Sequence, residues 1–426
     1  MSRTIFRNAN LLDGERPARA GMTVVVEGDR ISAVGSRDDA AIGATRLRDR
    51  AIDLAGRTLL PGLVLSHYHS TYRDITIMPE PLGIEKPPGY LMLVAADNAR
   101  RALRAGFTGI LSAGVVNDNI DAELALAIEE GVVEGPRLVA GGAALDTTGD
   151  YNDTGKYWWR LGNLGAQRFC DGPEEFRKAV REEIKRGVRI IKIFASGGHG
   201  VAEDASTRGF APDELRAIVA AAHQRGVRVR AHCAWRDLIY ECVQEGVDII
   251  DHGDAADAAC LEAMLEHRTF LCPSLYLIKL LLDYRGDVAI ATPGQIEAVR
   301  REFEGACEMV VKANAAGVRL LTGDDYGVLM LPHGGYAAEL AFYAKDLGIP
   351  PLDVLRWATR NGAEAMGRGA ELGRIAPGAL ADLVVVAGDP SVDIALLQDP
   401  ARIHAVVKGG AFAVDRLGPG SDKLAP

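Results

Sequence analysis

Eight short apolar runs, separated by amphipathic stretches, constrain this chain more than any other feature. They cover 60–66, 107–113, 137–141, 189–195, 227–232, 247–251, 269–274 and 318–323. Apolar runs of this length suit strands buried on both faces. The stretches between them follow helical periodicity, as in 174–186 and 212–225. Pro212-Asp213-Glu214 starts a helix well, because proline fits the first turn and acids favour the positive end of the helix dipole. Gly106, Gly187, Gly226, Gly246 and Gly317 each stand just before a run, where a helix closes on a left-handed residue. Eight strands alternating with helices is the count of a (β/α)8 barrel, the TIM barrel.

The two ends differ from this middle. Segments 22–27 and 30–34 near the start, and 383–387 and 403–408 near the finish, are rich in β-branched residues. Neither end is long enough to build a stable sheet easily alone. The expectation is therefore an α/β chain: a barrel over 59–369, with a small β-sandwich domain built from 1–58 plus 370–426. The 426 residues, 48% hydrophobic and 25% charged, suffice to fill such a core. A net charge of −10 without a basic, aromatic-interleaved stripe argues against a nucleic-acid partner. No apolar segment approaches the roughly 18 residues of a membrane span, so no membrane role is expected. The first ten residues lack the apolar core of a signal peptide, and the six cysteines have no paired spacing. A cytoplasmic setting with reduced thiols is the expectation.

The chemistry-bearing residues fall where the runs end. The first run leads into His67-Tyr68-His69, and the fourth contains Lys192. The fifth leads into His232, the sixth into Asp251-His252, and the eighth into Gly323-Asp324-Asp325. His67 and His69, at i and i+2 on a strand end, would point the same way. Imidazole is the commonest protein ligand for zinc. Taken singly, each residue has an ordinary reading: a satisfied core histidine, or a lysine at the sheet edge. Together they place ligand-type side chains at five strand ends, the face where barrels do chemistry.

With these residues in place, the chain resembles the amidohydrolase superfamily. The resemblance rests on His67-x-His69, Lys192, His232, His252 and the aspartate after the eighth run. It rests also on the lead-in 56–64 and the tail Gly373-Arg374-Ile375-Ala376-Pro377-Gly378-Ala379-Leu380-Ala381-Asp382-Leu383-Val384-Val385-Val386, and it covers nearly the whole chain. Segments 171–182 and 191–198 resemble its imidazolonepropionase-related, prolidase-like branch. The resemblance implies two divalent ions, zinc foremost, with manganese or cobalt as alternatives. His67 and His69 would hold one together with Asp325, and His232 and His252 the other. Lys192, carbamylated by CO2, would bridge them. An ammonium cannot bind a cation, whereas a carbamate is an anionic ligand, and burial favours the neutral amine its formation needs. The implied reaction is attack of a metal-bridging hydroxide on the C–N bond of an amide, urea or carbamate in a small, partly apolar molecule. Asp325 would act as general base, then acid. The family's Gly-Thr-Asp or Gly-Ser-Asp appears here as Gly323-Asp324-Asp325. Aligning the glycine selects Asp325, and Asp324 remains the rival.

Around the metals, His199 and His333 are candidate substrate contacts or plain loop residues. Tyr151 is a third candidate, and Trp158 and Trp159 either wall an apolar substrate or pack their loop onto the barrel. Dipeptide-cleaving relatives commonly show Thr-Gly-Gly-His where this chain has Thr148-Gly149-Asp150-Tyr151, and His-Ala-Tyr where it has His232-Cys233-Ala234. An Xaa-Pro dipeptidase or carboxypeptidase-like hydrolase is the alternative, with a phosphotriesterase or lactonase behind it. The expected partners are a small-molecule substrate and further copies of the same chain.

Overall fold

The computed structural model describes residues 3–36, 42, 49–78, 82–117, 119–159 and 165–417. The stretches 1–2, 37–41, 43–48 and 418–426 of the expected composite domain lie outside the described residues. The chain opens with strands β1 (Arg3–Leu11), β2 (Arg19–Glu27), β3 (Arg30–Ser36), β4 (Arg50–Asp53) and β5 (Thr58–Pro61). Three short strands follow: β6 (Leu63–Leu65), β7 (Phe107–Leu111) and β8 (Arg137–Val139). Next come β9 (Ala144–Asp146), β10 (Gln167–Phe169), β11 (Ile190–Phe194) and β12 (Arg228–Cys233). The series ends with β13 (Ile249–His252), β14 (Phe270–Cys272) and β15 (Arg319–Leu320), and then β16 (Leu383–Val386), β17 (Ile403–Lys408) and β18 (Ala411–Asp415).

Both chain ends meet in one mixed sheet of eight strands, ordered β18-β17-β16-β5-β1-β2-β3 with β4 on β1. The first apolar run is thus divided. Its residues 60 and 61 lie in β5, which pairs antiparallel with β16 of the C-terminal segment, and β6 begins at Leu63. Gly62 stands at the break, where a Cβ would sit 2.0 Å from Thr108 Oγ1. Phe6, Leu11, Val24, Leu59, Leu383 and Val407 fill a core belonging to this sheet alone.

The middle strands form two parallel arcs, β6-β7-β8 and β10-β9-β11-β12-β13-β14-β15. Each of the eight apolar runs overlaps one of these strands, β12 and β13 reaching one residue past their runs; β9 and β10 are additional. Backbone hydrogen bonds cross between the arcs at both ends, Ser66 N to Thr322 O at 2.6 Å and Arg189 N to Ala140 O at 2.8 Å. Val64 and Leu111 from one arc pack with Ile190, Ile249 and Phe270 from the other, so the arcs share a core, plugged by Met366. Helices cover the outside, including Pro173–Lys185 and Pro212–His223 where amphipathic periodicity places them. No helix among the described residues is long and apolar enough to cross a membrane.

Candidate metal centre

Strand parity builds the floor of the site. Ile190 packs into the shared core, so Lys192, two residues on, faces the same interior one layer higher. Arg230 and His232 repeat the relation on β12, and Ile249 and Asp251 on β13. His252 would then point outward. Its φ of 71° breaks the alternation and turns it inward, and its ring centroid lies 4.5 Å from that of His232. A left-handed conformation at a non-glycine residue is costly and is found where function holds it.

His67 and His69 do not lie on a strand, because β6 stops at Leu65. They converge nonetheless, Nε2 to Nε2 at 3.3 Å. Gly114 O holds His69 Nδ1 at 2.9 Å, and Asp325 Oδ1 approaches the two Nε2 atoms at 2.9 and 3.0 Å. Gly323 permits that approach: its φ is 137°, and a Cβ there would fall 2.2 Å from His67 N. Burial would raise the Asp325 carboxyl, but His67 and His69 outweigh it and hold it well below the usual range. Asp324 turns the other way. Its carboxylate accepts from Leu277 N at 3.0 Å and Asp325 N at 2.8 Å, and burial and Glu339 push its pKa well up.

Beneath these ligands is a buried ionic pair that the sequence reading passed over. Arg230 has no exposed surface and grips both oxygens of Asp251, while its Nη1 donates to Ser66 O at 2.8 Å and Ser112 O at 2.7 Å. Asp251 also lies 3.3 Å from His67 Nδ1 and accepts from Lys192 Nζ. Burial alone would raise Asp251; Arg230 and Lys192 hold it far below. Burial lowers Lys192 despite the pull of Asp251. The signal was available, since Arg230 is a charge inside one apolar run and Asp251 a charge at the end of the next.

The ligand-type nitrogens on the far side are unsatisfied. His232 Nε2 and His252 Nδ1 are buried with no hydrogen-bond partner, and burial keeps both imidazoles neutral well below their ordinary pKa. Neutral, unpartnered imidazole nitrogens beside carboxylate-capped histidines are the donor set a divalent cation takes. The residues present therefore fit metal binding.

A cavity of about 750 Å3 opens above them. Ile75, Ile77, Leu91, Val94 and Val328 give it an apolar wall, and Tyr72 stacks on His69 with centroids 4.1 Å apart. Tyr151 and His199 line it. Tyr151 donates its hydroxyl to Ser196 O. His199 stacks on His252 at 3.7 Å, and Asp254, 3.0 Å from its Nδ1, overcomes burial to raise its pKa. His333 does not line the cavity. It sits behind the site, with Nε2 3.2 Å from His69 O and Nδ1 3.1 Å from the Tyr336 hydroxyl. Trp158 and Trp159 are also off the cavity, exposed beside Lys156.

Residues 58–412 match the Amidohydrolase family, and the chain belongs to that family. Ochratoxinase from Aspergillus niger is 29% identical over 442 residues, covering 99% of this chain and 89% of that protein. Imidazolonepropionase from Streptomyces griseus is 27% identical, covering 92% of each. A crystal structure of a Xaa-Pro dipeptidase with methionine in its active site superposes with a TM-score of 0.86 at 27% identity, over 96% of this chain and 99% of that one. The protein is an enzyme that hydrolyses carbon–nitrogen bonds.

Proposed function

We propose that this enzyme is a binuclear metal hydrolase acting on an amide, urea or carbamate of a small, partly apolar molecule. The observation that carries the proposal is the meeting of His67, His69 and Asp325 at one point, beside the unpartnered nitrogens of His232 and His252. The first three would hold one ion and the last two another, with carbamylated Lys192 between them. Zinc is the ion proposed, and manganese or cobalt the alternatives. Two such ions supply Lewis-acid polarisation of the scissile carbonyl and acidify water to near-neutral pKa.

The chain's own residues supply the rest. Asp325 takes a proton from the attacking water and returns it to the departing nitrogen. The apolar wall takes the hydrocarbon part of the substrate and excludes bulk water. Tyr151 and His199 are proposed as substrate contacts, and His333 as the support of His69. Residues 59–369 are read as the (β/α)8 barrel, and 1–58 with 370–426 as the composite β domain.

An assay panel of amides, ureas, carbamates, dipeptides and phosphotriesters, with zinc or manganese added, tests the reading. Turnover is expected on C–N substrates bearing an apolar group, lost on chelation and restored by metal. Full turnover after chelation, or a preference for phosphotriesters, would overturn it. Preference for dipeptides would favour the reading that the likeness to the Xaa-Pro dipeptidase supports.

A further inference from the structure

A second cavity, of about 430 Å3, shares no lining residue with the catalytic one. That volume lies in the range of small-molecule sites, about 300–1,000 Å3. Helix Pro88–Arg104 lines it with Arg100, Arg101 and Arg104, and Arg416 faces it from the C-terminal segment. Among the described residues, no acidic side chain lines it. The carboxylates that balance these arginines stand behind them. Asp97 accepts from Arg100 and, at 2.8 Å, from Arg101, and Glu134 accepts from Arg104 at 3.0 Å. Arg416 donates to Pro400 O at 2.6 Å. On the helix, three guanidinium groups thus face two carboxylates. Each is a planar fork of five N–H donors, so one partner leaves further donors for an oxyanion.

Two other features suit an anion with an apolar body. Helix Ala337–Lys345 begins at the wall, through Gly334, Gly335, Ala337 and Ala338, and adds the positive end of its dipole. Phe107, Leu397 and Ile403 form an apolar surface beside the charges. The wall also touches the support of the metal centre. Gly334 and Gly335 lie between His333, which contacts His69 O, and Tyr336, whose ring centroid is 5.5 Å from that of Phe107.

We propose that this cavity binds an organic oxyanion, a carboxylate or phosphate on an apolar body, with the anionic group on the arginines and the body against Phe107, Leu397 and Ile403. The test is calorimetric titration of the metal-loaded enzyme with 2-naphthoate and with 2-naphthylphosphonate, using neutral 2-naphthalenemethanol as control. Both anions are expected to bind at low salt where the alcohol does not, and to weaken several-fold at physiological salt, because the guanidinium groups are half-exposed. The tighter anion identifies the preferred headgroup. Arg101→Glu with Arg104→Glu should raise Kd at least about tenfold. Gln398→Glu places an acid on an exposed lining position, should raise it several-fold, and keeps the test decisive if the double variant does not fold. Arg73→Glu, on the wall of the catalytic cavity, should leave Kd unchanged. Wild-type affinity in folded Arg101→Glu/Arg104→Glu or in Gln398→Glu, or loss of binding in Arg73→Glu, would overturn the proposal.

Discussion

Lys192 Nζ donates to Asp251 Oδ2 at 2.6 Å, with both side chains buried. Asp251 is thereby the shared counter-ion of Lys192 and Arg230, and it also steadies His67 Nδ1. Removing one partner of a buried ion pair leaves an uncompensated charge, which costs about 3–5 kcal/mol. Asp251→Asn keeps the shape and deletes the charge. In metal-free protein, urea denaturation should show a loss of that order. A loss below about 1 kcal/mol would mean that another group neutralises Arg230, and would remove Asp251 from its place under the site.

Lys192 cannot both hold Asp251 as an ammonium and bridge two cations as a carbamate. Burial already lowers its pKa, which favours the neutral amine that attacks CO2. Lys192→Ala should therefore lose most bound metal and activity, and short-chain carboxylates should restore part of both by occupying the vacated space. Metal content by elemental analysis, beside kcat with and without added acetate or propionate, checks this. Normal turnover in Lys192→Ala would exclude it as the bridge.

The residues most legible in the sequence are those whose direction follows from a regular strand. Lys192 and His232 lie two residues beyond core positions or in phase with them, so period two alone aims them. The same rule reaches Arg230 and Asp251, had charges in apolar runs been weighed. It fails for His252, which faces inward only through a φ of 71°. It fails also for His67 and His69, whose convergence comes from Gly114 O, Asp325 and the close passage of Gly323 beyond the end of β6. Tyr72 on His69 and His333 behind it depend on how loops pack, and residue spacing carries no such information. The same limit applies to the fold: strand identity follows from apolar runs, but the transfer of residues 60 and 61 to the terminal sheet depends on the β16 partner more than 300 residues away.

Asp324 and Asp325 are adjacent acids with opposite surroundings. Asp325 touches His67 and His69, whereas Asp324 caps the backbone at Leu277 and Asp325. Asp325→Asn should fold and lower kcat by several orders of magnitude under saturating metal, since it removes a ligand and the proton carrier together. Asp324→Asn should mainly lower stability, by about 1–3 kcal/mol for a disturbed buried acceptor. Steady-state kinetics and thermal melts on the two variants separate the roles. A dead Asp324→Asn beside an active Asp325→Asn would reverse them.

Glu339 links the loop of Gly323 to pH. Its oxygens accept from Gly323 N at 3.0 and 2.9 Å and from the Tyr326 hydroxyl at 3.2 Å, and burial raises its pKa from 4.5 to about 7. A raised pKa means that the folded chain keeps a proton which the unfolded chain releases. The stability tied to that proton is complete below pH 4.5 and is lost as pH rises through about 7, with a ceiling of about 3 kcal/mol. Asp251 and Asp325, held low, lose their contribution only in acid below this window. Buried His232 and His252 act within it in the opposite sense, so the slope of the wild type alone is ambiguous. The difference between Glu339→Gln and wild type cancels the histidines, which are common to both, and leaves the Glu339 carboxyl with the part of the Asp324 rise that Glu339 causes, which has the same sign. Urea unfolding of metal-free protein at pH 5 and pH 8 should show the variant gaining stability relative to wild type as pH rises. A difference independent of pH would show that Glu339 stays ionised in the fold.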